Sequence, residues 1–563
     1  MPPHRRSRTP RQRWSTGHQT PPGRPHMDDG TPTCDLLIRN GRVLDGTGAD
    51  WYRADLAATG DTIVAMGDLR GWGARQEIDA AGRFVTPGFI EEHSHSDTTL
   101  LVDPLAQSAV RQGMTTMAVG MCGMSAAPIA PARREEYRQT TGLLDYEGVD
   151  WSWSSFGEYL ATLRAAGPSL NVVAMAGHIP LRMSAMDDPN RPATPAEIDT
   201  MRDMLTDALD QGAAGFTTGL NYTSSIFATT EEIIEIARAL VPYSGRAYHT
   251  HMRDYGPHLV EAVEESICIA ETAGVPLVIS HMYPNGRDNW GKSKTCIERV
   301  EQGRARGVEI GFDVTPWLRG GGPFAQTLPP WIRDGGMNAG IERLKCDPEV
   351  RARLARDIEQ GGDWPGWLRP EWDQWLICAT GRPANRKYMG QSIAEIAAQL
   401  GMTPVEATIH LYVEDRGQFC IAPLNKCDED IDRLLQHPLG VPVADGFALA
   451  PEGALAHRDR PNSYGTFPRV FEHYVRQRGV LTWPQAVQKL TAVPAQRLAL
   501  WDRGLLRPGL KADIVVFDPD TIAAVADYAF PQEYPVGIDW VIVNGKVTVT
   551  ADGHTGAKAG AVA

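Results

Sequence analysis

The feature that most restricts the fold of this chain is a repeated alternation of short apolar runs with helical stretches. The runs are 85–90, 114–120, 171–176, 213–217, 246–250, 276–280, 308–313 and 441–444. Short, nearly unbroken apolar runs read as strands buried on both faces, and helices between them make the crossovers of a parallel sheet. Thr230 to Val241 is one clear helix, with acids at its start, where the helix dipole favours them. Eight such units predict an α/β fold, a (β/α)8 TIM-type barrel. The gap between the seventh and eighth runs is far longer than a crossover needs. It predicts an inserted subdomain over about 318–436, following a strand's C-terminal end and so lying over the barrel mouth as a lid.

Both ends of the chain are β-rich. Asp35 to Asp45 reads as two strands joined by an Asn40-Gly41 turn, and Asp61 to Gly67 as a third. Ala512 to Asp518 and Trp540 to Val547 repeat the pattern, the second with an Asn544-Gly545 turn. These predict one small β-sandwich built from both termini, 31–88 and 501–553, around a barrel over 89–500, with 554–563 as a tail. Residues 1–30 carry Arg5, Arg6, Arg8, Arg11, Arg13 and Arg24 and no acid before Asp28, which reads as a disordered basic tail, with Met27 a candidate start.

A net charge of -14 argues against a nucleic-acid partner. No apolar stretch has transmembrane length, so no membrane partner is expected. Eight cysteines without a CxxC spacing point to a reducing compartment, a cytoplasmic location and mostly buried thiols.

Residues able to hold a metal fall at the strand ends. His93 and His95 follow the first run, two apart and so on one face of an extended backbone. Cys122 follows the second, His251 the fifth, His281 the sixth and Asp445 the eighth. In a parallel barrel these ends meet at one mouth. A buried Cys is usually inert packing, but Cys122 stands next to Gly123 at a strand end. A thiolate with several imidazoles suits Zn²⁺. A carboxylate beside a metal-bound water is arranged for hydrolysis: hydroxide on the metal as nucleophile, Asp445 as general base and then acid. His178 also ends a strand and reads as structural. His249 shares a face with His251 and reads as pocket wall or as a group supporting the ligands. The expected partner is a small-molecule amide.

At these residues the chain resembles the amidohydrolase superfamily, and within it the N-acyl-D-amino-acid deacylase (D-aminoacylase) group. The matching segments include Val85-Thr86-Pro87-Gly88-Phe89-Ile90 with His93-Ser94-His95-Ser96-Asp97, and Gln112-Gly113-Met114-Thr115-Thr116 with Cys122-Gly123. Further matches are Thr218-Gly219-Leu220-Asn221-Tyr222, His251-Met252-Arg253, Ser280-His281 and Tyr464-Gly465-Thr466-Phe467-Pro468-Arg469-Val470. The resemblance implies zinc-dependent amide hydrolysis, a tight zinc on Cys122, His251 and His281, and a weaker second site near His93 and His95.

The departures from the group cluster in the substrate pocket. Tyr283 stands where the group has the Lys that holds the substrate carboxylate, Trp317 where it has Tyr, and Tyr255 where it has an acid. Arg460-Pro461-Asn462 replaces His-Pro-Arg. Arg253, Tyr283, Trp317, Tyr222 and His249 are the expected substrate contacts. Loss of the Lys removes a cation, which predicts a larger and less anionic substrate than a simple N-acetyl-D-amino acid, with Arg253 as the one residue able to restore the charge. A cyclic-amide hydrolase on the same metal site is the alternative. A non-catalytic metal-binding homologue is disfavoured, because such a scaffold needs no base at Asp445.

Overall fold

The computed structural model of the chain describes residues 26–28, 31–222, 224–362, 364, 366–456, 460–528 and 530–563. Its centre is a set of parallel strands: β1 (Phe89–Glu91), β2 (Met114–Val119), β3 (Asn171–Ala174), β4 (Gly215–Gly219), β5 (Ala247–His251), β6 (Leu277–Ile279), β7 (Ile310–Val314) and β8 (Gly440–Pro442). They pair in sequence order, β3 passing to β4 through Ala176–Gly177. A parallel bridge between Ser94 and Gly446 joins the end of β1 to that of β8, and the His95 amide donates to the Gly446 carbonyl at 2.9 Å. Every residue of these strands is buried, which explains their unbroken apolar character. The predicted helix is Thr230–Ala237, its Thr229 side chain accepting from the Glu232 amide, with one 3₁₀ turn beyond it.

The run 85–90 is two strands. Phe84–Pro87 pairs antiparallel with Ile514–Phe517, and only Phe89–Glu91 enters the central set. Pro87 cannot donate to a ladder, and at Gly88 a Cβ would meet the Thr115 side chain at 2.1 Å, so the chain changes sheet there.

Strands from both termini do come together, but as one hydrogen-bonded sheet of ten strands rather than two separate layers. The Phe84–Pro87 pairing makes it continuous. Leu36, Leu56, Ile63, Ile514 and Ile542 form one buried cluster on it. Two expected tails differ from expectation. His26–Asp28 pairs with Thr31–Thr33, while residues 1–25 lie outside the described residues. The stretch 554–563 docks on β3: the Val172 amide donates to Ala561 and the Ala563 amide to Val172, at 2.8 and 3.0 Å. Its Gly- and Ala-rich sequence has no apolar alternation to announce this.

The insertion has its own three-stranded antiparallel sheet (Gly322–Pro323, Trp375–Ala379, Cys420–Pro423). Helices Gly336–Cys346, Pro348–Gln360, Ile393–Leu400 and Pro404–Glu414 close over it. Phe324, Ile332, Leu344, Ile396 and Phe419 belong to a hydrophobic cluster distinct from that of the central strands. The insertion ends near residue 427, earlier than expected, because helix Asp428–Gln436 packs on helix Ser293–Ala305 and leads directly into β8. Among the described residues no helix is long and apolar enough to cross a membrane, and no cysteine is in a disulfide.

Candidate metal centre

The ends of β1, β2, β5, β6 and β8 bring the six predicted ligands together. His93 Nε2 lies 3.2 Å from Cys122 Sγ, and Cys122 Sγ lies 3.5 Å from His281 Nε2. His281 Nε2 is 3.1 Å from His251 Nδ1. On the other side Asp445 Oδ1 is 3.5 Å from His93 Nε2 and 3.2 Å from His95 Nε2. A tetrahedral zinc with ordinary bonds of about 2.0–2.3 Å holds its ligand atoms roughly 3.3–3.6 Å apart. The observed spacings fit such an ion, and five of the residues fall into two overlapping groups, His93–Cys122–His281 and His93–His95–Asp445, with His251 in neither and close to His281.

Buried acids hold these loops in place. Cys122, His281 and Asp445 all have positive φ, at 54°, 34° and 48°, a conformation that costs a non-glycine residue about 1–3 kcal/mol unless its surroundings impose it. Asp97 accepts from the amides of Gly120 and Ala126, on either side of Cys122. Asp313 accepts from the His281 amide at 2.5 Å, and its other oxygen lies 3.1 Å from His93 Nδ1, which aims His93 Nε2 at the centre. Glu91 accepts from the amides of His93 and Ala444. Asn462 donates to the carbonyls of Ala444 and Asp445 at 2.7 and 3.0 Å.

Electrostatics favours a cation here. Burial opposes the Cys122 thiolate, but His93, His251 and His281 outweigh it and hold the thiol well below its ordinary value. Burial also opposes the Asp445 carboxylate, and His93 with the His95 hydrogen bond brings it down to about 2. His251 is pushed down to about 4, chiefly by burial, and so its imidazole is neutral.

The expected substrate contacts separate into two sets. Tyr222, Tyr283, Asp445 and Arg460 line a chamber of about 850 Å³ over the ligands, and the Tyr222 ring lies 4.6 Å from that of His251. Trp317 lines a smaller side chamber of about 380 Å³, with its indole N–H engaged by Thr466 Oγ1 at 2.8 Å. Arg253 and His249 are corrections. The Arg253 guanidinium is paired with Glu265 and with the carbonyls of Ile226 and Ala228, so it brings no charge to the chamber. His249 is buried beneath the ligands, lines neither chamber, and is kept neutral by burial, at about 3.

Two cations that sequence reasoning missed stand where the charge was expected to be lost. Lys426, from the insertion, places Nζ 3.9 Å from the centroid of the Tyr283 ring and donates to Thr315 Oγ1 at 2.6 Å. Arg460 lines both the main and the side chamber. Among the described residues no carboxylate pairs with either. Nothing local marks Lys426 in the sequence; Arg460 was visible only as a departure from the group's motif.

Comparison with known proteins settles the family. An amidohydrolase family model matches residues 76–339 and 369–549. The chain belongs to the amidohydrolase family. A D-aminoacylase of Alcaligenes xylosoxydans xylosoxydans is 35% identical to this amidohydrolase over 530 residues, 94% of this chain and 97% of its own length. An N-acyl-D-glutamate deacylase of the same organism is 34% identical over 511 residues, 91% and 93% of the two chains. The crystal structure of an N-acyl-D-glutamate deacylase from Bordetella bronchiseptica, complexed with zinc and a phosphonate mimic of the tetrahedral intermediate, superposes with a TM-score of 0.78 at 31% identity. That match covers 94% of this chain and 99% of the other. This amidohydrolase is thus an enzyme of the N-acyl-D-amino-acid deacylase group. The internal stretch between the two matched segments, 340–368, lies inside the insertion.

Proposed function

We propose that this amidohydrolase, a (β/α)8 barrel with a small terminal β domain and the insertion as its lid, hydrolyses the amide bond of an N-acyl-D-amino acid whose carboxylate is free. The observation that carries this reading is Asp445, which lies among the imidazoles and also lines the side chamber of Lys426 and Arg460, two buried cations that no carboxylate pairs with among the described residues. An unpaired buried charge is costly, and a substrate carboxylate would neutralise it. Lys426 and Arg460 are the residues proposed to bind it, next to Tyr283. They take over from the Lys and Arg that the group carries at positions 283 and 462, so the earlier expectation of a less anionic substrate is replaced.

Zinc held by Cys122, His251 and His281, with His93, His95 and Asp445 adjoining, would acidify water and polarise the scissile carbonyl. Asp445 takes the proton of the attacking water and delivers it to the departing nitrogen. The water oxygen bonds to the acyl carbon, the C–N bond breaks, and an amino acid and a carboxylic acid leave. Asp313 and Asn462 position the imidazole and the base and touch no reacting atom.

The test is kcat/KM of the zinc-loaded protein for an N-acetyl-D-amino acid, its methyl ester and its L enantiomer. The free D acid is expected to lead by tenfold or more, about 1.4 kcal/mol, and Lys426→Met to bring it close to the ester. Equal or better turnover of the ester by the unaltered protein would overturn the reading.

A further inference from the structure

A second chamber, of about 1020 Å³, opens off the first. The two share Leu143, Tyr222, Pro323, Gln326 and Arg460, so they are continuous past the Tyr222 ring. Met124, Ile179 and Phe447 form its wall on the central strands' side, and Ala325 and Met337 form it on the insertion's side. It is largely apolar. Among the described residues it holds, besides Arg460, one charged side chain, Arg333, on helix Pro330–Arg333.

Arg333 is only 2% exposed. Its Nη1 donates to the Asn221 carbonyl at 3.0 Å, while Nε and Nη2 have no hydrogen-bond partner among the described residues. Among the described residues no carboxylate pairs with it. Among the described residues Tyr412 is the titratable neighbour that acts on it. A buried guanidinium with two unused donors is costly unless something anionic reaches it, and a guanidinium's geometry suits a carboxylate.

The chamber lies across the mouth from Lys426. Met124, Ile179 and Tyr222 follow β2, β3 and β4, whereas Tyr283, Thr315 and Trp317 follow β6 and β7. An amide at the metal ligands with its carboxylate on Lys426 therefore points its acyl half into this chamber. Building on the deacylase reading, we propose that the chamber is an acyl subsite for an extended chain ending in a carboxylate, which Arg333 receives. The substrate class is the monoamide of a dicarboxylic acid with a D-amino acid. Hydrolysis breaks its C–N bond, adds the elements of water, and releases the dicarboxylic acid and the amino acid.

The experiment compares N-acetyl, N-hexanoyl and N-adipoyl derivatives of one D-amino acid on the zinc-loaded protein. Adipoyl is expected to exceed hexanoyl at least tenfold in kcat/KM, and hexanoyl to exceed acetyl. Arg333→Met should erase the adipoyl advantage through KM and leave hexanoyl within about twofold. Met337→Trp, which fills the chamber, should lower both long substrates and spare acetyl. An equal loss on all three substrates in Arg333→Met, or acetyl as the preferred substrate of the unaltered protein, overturns the proposal. If none of the three is cleaved, the deacylase reading has failed instead. The subsite then stands or falls on calorimetry: adipate binding more tightly than hexanoate to the unaltered protein, but not to Arg333→Met, supports it, and equal binding overturns it.

Discussion

In the proposed mechanism Asp445 and Lys426 divide the work of the site between proton transfer and recognition. Replacing Asp445 by Asn keeps size and most hydrogen bonding but removes the base. Turnover should fall by roughly 10²–10⁴, with folding unchanged by circular dichroism. Turnover within threefold of the unaltered protein would remove Asp445 from its role. Lys426 gives a pH signature. Burial pushes its ammonium down to about 7, and Asp445 only partly opposes this. Lys426 is therefore charged below about 7 and neutral above it, so a carboxylate substrate meets its cation only on the acid side. For the free acid, kcat/KM should decline as pH rises through about 7. The methyl ester should lack that decline, and Lys426→Met should abolish it. Superimposable profiles for acid and ester would show that Lys426 does not meet the carboxylate.

Among the elements, the β4 end and the Cys122 loop are packed together without room for a side chain. At Gly219 a Cβ would stand 2.2 Å from the Cys122 carbonyl oxygen and 2.4 Å from the Tyr222 ring. Backbone cannot yield as a side-chain tip can, so Gly219→Ala must move the loop that carries the thiolate. A destabilisation of about 1–3 kcal/mol is expected from such overpacking, with zinc per chain reduced and activity down at least tenfold. Full zinc content by elemental analysis would mean that this contact does not place Cys122. The convergence of the six candidate ligands was legible in the sequence because each directly ends or follows an apolar run, and parallel strands deliver their ends to one mouth. The acids that hold them were harder to read. Asp97 and Glu91 flank the His pair and pass for ordinary loop residues, and their hydrogen bonds to distant amides leave no local pattern. Arg253 misled for the same reason in reverse, since its pairing with Glu265 is a contact between a loop and the following helix.

Over the whole molecule, the strand order and the pairing of the two termini followed from apolar runs and Asn-Gly turns. The route of 554–563 along β3 did not, because backbone hydrogen bonds alone hold its small residues there. Lys426 and Arg333 were invisible for a larger reason: their meaning lies in how the insertion sits against the strand ends, and no local pattern records that.

The insertion leaves the strand framework after β7 and returns before β8, with a hydrophobic cluster of its own. None of the six candidate metal ligands lies within it. A segment of that kind is transplantable. Exchange of residues from about 320 to 427 between relatives would carry the Lys426 cation and the Arg333 wall with it and leave the proton-transfer apparatus behind. Recombination across those two junctions gives lineages a route to new diets that does not require relearning the bond-breaking step.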